Sequence, residues 1–200
     1  MQSKMIRGAA ALALVAASLS ANAANVTLTG WTFGSGNSVN STMYSGAAGG
    51  FSGSLSGAGA FDASPFNTFC VELTEFFSFS ATPMTGYNVV AGNTYFGAAK
   101  AEALGKLMTY VSQNAAQVDT AAESTSLQLA IWNLVYDTDV KVTTASLFRD
   151  ISAYAAHADV LLAGAQGIGT SIYNVFALQI RLRSRRNIRY ILKYLTRGGA

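Results

Sequence analysis

Two hundred residues carry one cysteine, one histidine and two prolines, and only 12% of them are charged. A single cysteine, Cys70, excludes an internal disulfide, so the fold must rest on an apolar core. Half of the chain is hydrophobic, which at this length suffices for one domain with such a core. With only His157 and ten scattered acids, no dense group of titratable side chains of the kind an enzyme needs is evident. A phosphate loop is missing too, because GAQGIG (164–169) lacks the lysine that such loops carry. Asp137 and Asp139 in YDTDVK have no neighbours to complete an oxygen cage, so the acidic turn is read as a helix terminator. No metal, no cofactor and no enzymatic activity are expected.

Basic charge is scarce where it would matter. Of thirteen Lys and Arg residues, Lys4 and Arg7 lie at the start and seven crowd the last twenty positions. Between Ala24 and Ile180 only Lys100, Lys106, Lys141 and Arg149 face all ten acids, four against ten, a net charge of −6. That acidic body excludes a nucleic-acid surface despite the basic whole-chain balance.

A long apolar run is also absent. The stretch Gly8–Leu19 is too short for a comfortable bilayer span. Lys4 and Arg7, this short run and Ala21-Asn22-Ala23 instead make a secretory signal, residues 1–23, with cleavage expected after Ala23. The protein is therefore expected outside the cell or on its surface. There a lone thiol raises a question, since exported proteins ordinarily use cysteines in pairs.

One domain, residues 24–180, follows the signal. VTLTGWTF (26–33) and GGFSGSLSG (49–57) alternate larger apolar residues with small or polar ones, as half-buried strands do. FNTFCVELTEFFSFS (66–80) is dense in aromatic and β-branched residues. In its alternation Phe69, Val71 and Leu73 share one face, and Cys70, Glu72 and Thr74 the other. Two further strands are expected over YNVV and TYF, with AGN as the turn.

From Gly97 the period changes. Leu104, Leu107, Met108 and Val111 fall at helical spacing, and so do Leu127, Ala130, Ile131, Leu134 and Val135, with Ser124 or Thr125 available as N-cap. A third helix is expected from Thr144 to Leu162, and a strand within 167–180. Strands first and helices later indicate an α+β fold. Residues 181–200 are a separate, basic tail. Ile188, Ile191, Leu192 and Leu195 could line one face of a membrane-surface helix. The abrupt change of composition points instead to an out-of-frame or otherwise aberrant end.

Cys70, His157 and Asn174 occur in the chain order of papain-like proteases. Cys70, however, sits in a strand-like aromatic segment, not at the helix N-terminus or beside the cation that would activate it.

FCVEL (69–73) together with STSLQLAIW (124–132) resembles the thioester domains of bacterial surface proteins. The resemblance covers residues 66–136. It implies a β-rich sandwich or barrel with a helical subdomain in the second half. It also implies an internal thioester between the Cys70 sulfur and the side-chain carbonyl of Gln128, formed with loss of ammonia. Phe69, Phe76, Phe77 and Trp132 are the expected shield against water. Leu127 stands where that family has threonine, so any hydroxyl for the pair must come from Ser126 or Thr125. A thiolate leaves more readily than an amide nitrogen, so a thioester is open to amine attack, and a partner's lysine becomes joined through an isopeptide bond. The other reading of the same residues is a helix-edge Gln128 and a small buried Cys70.

The architecture as a whole resembles exported proteins of the PEP-CTERM sorting system. Those end in Val-Pro-Glu-Pro, an apolar helix and arginines, whereas the only prolines here are Pro65 and Pro83. A frame change near Leu178 accounts for the difference. The function expected is attachment in the extracellular matrix or a biofilm, to a partner bearing primary amines or to exopolysaccharide. Capture is covalent in the first reading and non-covalent in the second. Membrane contact is expected only if the tail is native.

Overall fold

The computed structural model describes residues 23–73, 78–137, 139–144, 146–180 and 190–196, the last by its backbone alone. Residues 1–22, where the secretory signal is expected, and Thr74, Phe76 and Phe77 lie outside them.

In chain order the elements are β1 (Ala24–Trp31), β2 (Asn37–Asn40), β3 (Ser45–Ala48), β4 (Phe51–Ser56), β5 (Ala63–Cys70) and β6 (Met84–Ala91). Then come α1 (Gly92–Phe96), α2 (Ala98–Gln113), α3 (Ala121–Tyr136), α4 (Ala155–Gln166), β7 (Tyr173–Ile180) and β8 (Tyr190–Thr196). The fold is α+β with its helices in the second half. Five strands form one curled antiparallel sheet in the order β5-β4-β1-β6-β7, and β8 pairs with both β5 and β7 to close it as a barrel. β2 and β3 make a separate hairpin.

The alternation in VTLTGW does what period-2 patterning requires. Ala24, Val26 and Leu28 point inward and meet Phe51, Leu55, Phe66, Tyr87 and Leu178 in the barrel interior. A second core lies outside the sheet, where α2, α3 and α4 pack with β2, β3 and the segment after β5. It contains Leu104, Leu107 and Met108 of α2, Leu161 and Leu162 of α4, and Phe69, Val71 and Leu73. Every residue of α3 from Ser124 to Asn133 is buried. This helix is therefore enclosed on all sides, and its neighbours decide which of its polar groups can be satisfied. Cys70 is half-buried and packs against both cores, at the seam between them.

Several expectations need correction. TYF is not a strand but lies in α1, because the chain leaves β6 at Gly92. A Cβ there would come within 2.7 Å of the Val175 carbonyl oxygen, so the glycine lets the helix start hard against β7. The N-cap of α3 is Thr120, not Ser124 or Thr125. Thr120 and Glu123 form a reciprocal capping box that satisfies the first backbone donors. The third helix begins at Ala155 instead of Thr144. Before it the carboxylates of Asp137, Asp139 and Asp150 take up backbone N–H groups that a helix would have used, and Leu147 and Ile151 stay exposed. The backbone of 190–196 is a strand, not the helix considered for Ile191, Leu192 and Leu195; Ile188 lies outside the described residues.

Candidate functional site

β5 ends at Cys70, and α3 crosses that end with Gln128 facing it. Gln128 is fully buried, so both ends of its amide need partners. Both find them in the backbone of one residue. Cys70 N–H donates to Gln128 Oε1 at 2.9 Å, and Gln128 Nε2 donates to the Cys70 carbonyl at 2.7 Å. The side chain thus imitates a neighbouring strand at the point where β5 runs out. The Cys70 thiol donates to the Glu72 carbonyl oxygen at 2.9 Å.

A small cavity of about 30 Å³ adjoins this pair, lined by Tyr44, Ala47, Ala48, Phe51, Cys70, Glu72, Gln128 and Trp132. Such a space is of the order of one water molecule. Trp132 is 3% exposed and stacks obliquely on Tyr44 at 5.2 Å between ring centres. Its indole N–H has no hydrogen-bond acceptor among the described residues. Phe69 is also buried, but within the core beside Gly50 and not on the cavity wall. Of the expected shield, Trp132 alone among the described residues lines the cavity beside Cys70 and Gln128; Phe76 and Phe77 lie outside them.

The hydroxyls proposed to replace the missing threonine do not reach the pair. Thr125 Oγ1 sits between the carbonyls of Ala48 and Ala121, and Ser126 Oγ donates to Ala122 one turn back. Leu127 is packed in the core. The polar groups near Cys70 come from elsewhere. Tyr136 OH accepts from Leu73 N–H at 3.2 Å and lies 3.1 Å from both the Val71 carbonyl and Glu72 Oε1. Burial, with the Glu72 carboxylate adding to it, raises the Tyr136 phenol above its ordinary value. Burial first, and then the nearby Cys70, raises Tyr44 likewise.

Sequence reasoning missed Glu72 and Tyr136 as parts of this site. Tyr136 had a legible signal, since Gln128, Trp132 and Tyr136 recur every fourth residue along one side of α3. Nothing in the sequence announced Tyr44.

The protease arrangement is not assembled. His157 Nε2 lies 3.0 Å from the Gln117 carbonyl, and Asn174 lines a separate cleft between α2 and β7. Neither borders the cavity beside Cys70. Asp137 caps α3 at its C-terminal end and is 3% exposed. Its carboxylate accepts from Ser146 Oγ and from the backbone of Leu147 and Phe148, so it orders a loop. Among the described residues no group of three or more His, Cys, Asp or Glu could hold a metal ion. No helix among them is long and apolar enough to cross a membrane.

Comparison with protein-family models, with curated proteins and with solved structures found no match for this chain.

Proposed function

We propose that this chain is an exported surface or matrix attachment domain, and that it captures amine-bearing partners covalently through an internal thioester between Cys70 and Gln128. The observation that supports this most is the double hydrogen bond between the Gln128 amide and the backbone of Cys70. It fixes a carboxamide on the main chain of the residue that carries the chain's only thiol, and an otherwise slow acyl transfer needs that proximity. Cys70 N–H already donates to Oε1, the atom on which negative charge builds when sulfur adds to the amide carbon, so it serves as an oxyanion donor. Trp132 and the cavity's small size keep bulk water from the product.

The chemistry runs in two steps. Sulfur replaces nitrogen on the Gln128 carbonyl and ammonia leaves. A partner's primary amine then attacks the thioester, an amide bond forms, and Cys70 regains its thiol. The new amide N–H occupies the place of Nε2 and can donate again to the Cys70 carbonyl, so capture restores a bond that thioester formation gives up. Each molecule acts once, as a fastener and not as an enzyme. A fluorescent primary amine should label the folded protein. Cys70→Ala, Gln128→Ala and a chain kept unfolded from synthesis, in which the bond has never formed, should stay unlabelled.

One observation favours a second reading, a non-covalent matrix or exopolysaccharide-associated domain. The thiol is engaged with the Glu72 carbonyl, and Gln128 uses both ends of its amide as a strand-to-helix clamp. Equal labelling of wild type and Cys70→Ala would select it.

A further inference from the structure

We infer that Glu72 is the proton carrier of the bond-forming step, an assignment that rests on the thioester reading above. Forming the thioester moves one proton. The thiol must lose it for sulfur to attack well, and the departing nitrogen must gain it, because an amide anion is a very poor leaving group. Both needs fall on groups that border the same small cavity. Among the described residues that line it, three are titratable: Cys70, Tyr44 and Glu72. Tyr44 is unsuited to the work. Its hydroxyl donates to the Ala47 carbonyl, and burial works against its ionisation. That leaves Glu72 among the described residues of the wall.

Three details of the site fit this role. The Cys70 thiol already donates to the main chain of Glu72, so the proton leaves sulfur on the side of that residue. Tyr136, anchored by Leu73 N–H, holds Glu72 Oε1 at 3.1 Å and keeps the carboxyl group from swinging freely. Trp132, on the same wall, is a buried donor with no acceptor among the described residues. A donor of that kind suits a small guest with a lone pair, and ammonia at the instant of departure is one. The step then balances. The thiol proton passes to the Glu72 carboxylate, Sγ adds to Cδ of Gln128, the C–N bond breaks, and Glu72 returns the proton to Nε2, which leaves as neutral ammonia. Capture of a partner runs the same relay, with Glu72 taking the amine's proton and handing it to the departing thiolate.

The test follows thioester formation in freshly synthesised full-length chain, by the time course of ammonia loss in intact-mass spectra. Glu72→Gln keeps an acceptor for Tyr136 but cannot carry the proton, and Glu72→Asp keeps the carboxyl group. Glu72→Gln is expected to slow formation by ~100-fold or more, with an unchanged melting temperature. Glu72→Asp is expected to recover much of the rate. Wild type should also show an acid limb in its pH–rate profile that Glu72→Gln lacks, with Cys70, Tyr44 and Tyr136 unchanged in both. A Glu72→Gln protein that forms the bond at the wild-type rate with the same profile overturns the assignment and leaves the thioester standing. Wild type that never loses ammonia overturns both.

Discussion

Gln128 closes both of its amide hydrogen bonds on the main chain of Cys70, fifty-eight positions away in sequence. The contact joins the end of a barrel strand to the buried middle of α3. Replacing Gln128 with Leu keeps the volume and removes both bonds. The backbone N–H and C=O of half-buried Cys70 then lose these partners, a loss of roughly 1–3 kcal/mol by the usual worth of two such bonds. Urea unfolding of Gln128→Leu in the Cys70→Ala background checks this without interference from any covalent bond.

Asp137 sets the loop between α3 and α4. Its carboxylate, nearly out of contact with water, accepts two backbone N–H bonds and one from Ser146. Asp137→Ala should cost about 2–4 kcal/mol, because Leu147 and Phe148 lose a charged acceptor. Thermal unfolding measures it. Thr120→Ala, which removes one half of the exposed capping box, should cost only about 1 kcal/mol and serves as the scale.

Gly53 marks where β4 and β1 touch most closely. A Cβ there would lie 1.7 Å from the Thr27 carbonyl oxygen, and the pairing register of both neighbouring ladders shifts around this point. Main-chain atoms cannot step aside as a flexible side-chain tip can. Gly53→Ala should therefore lower the melting temperature more than Gly30→Ala, where a Cβ meets nothing within 4 Å.

Tyr136 should leave a mark on the alkaline side of the stability profile. Its ordinary value is 10.0, and burial and Glu72 raise it in the folded protein. The folded state then holds the phenol proton more tightly than the unfolded chain. Stability from this source is complete below the unfolded value and falls as pH rises above it, until the raised folded value is passed. Tyr136→Phe should flatten part of that alkaline decline, and Tyr44, raised in the same direction, should keep the remainder. Denaturant midpoints measured from neutral pH upward separate the two.

Periodicity alone placed β1, β4 and α2, because in each a single face is buried and the pattern is clean. Val26 and Leu28 inside the barrel and Leu104, Leu107 and Met108 against the helical core are where a pattern of two or of 3.6 puts them. The failures share a cause. Between Asp137 and Ser152, buried carboxylates capture the backbone, and a helix-like spacing of Leu147 and Ile151 carries no information about that. TYF has strand-forming residues, but the contact of Gly92 with Val175 comes from β7, more than eighty positions further on. The sequence Thr120-Ala-Ala-Glu123 did contain the capping box in plain form. It was eclipsed by Ser124 and Thr125, whose hydroxyls turned out to serve buried neighbours, Gly50 N–H and the Ala48 carbonyl. At the site, Cys70 and Gln128 were legible as a pair of motifs. Glu72 was visible only as the neighbour in strand alternation, and the cavity that gives it a use is a product of packing.

The most direct measurement is the intact mass of the purified protein lacking residues 1–23, before and after methylamine, beside Cys70→Ala. The expected result is a wild type lighter than calculated by one ammonia, which methylamine modifies once, and a Cys70→Ala protein of calculated mass that methylamine leaves unchanged. A wild type of full calculated mass, with a titratable thiol and no methylamine adduct, would contradict covalent capture and leave the Gln128–Cys70 contact as a structural clamp.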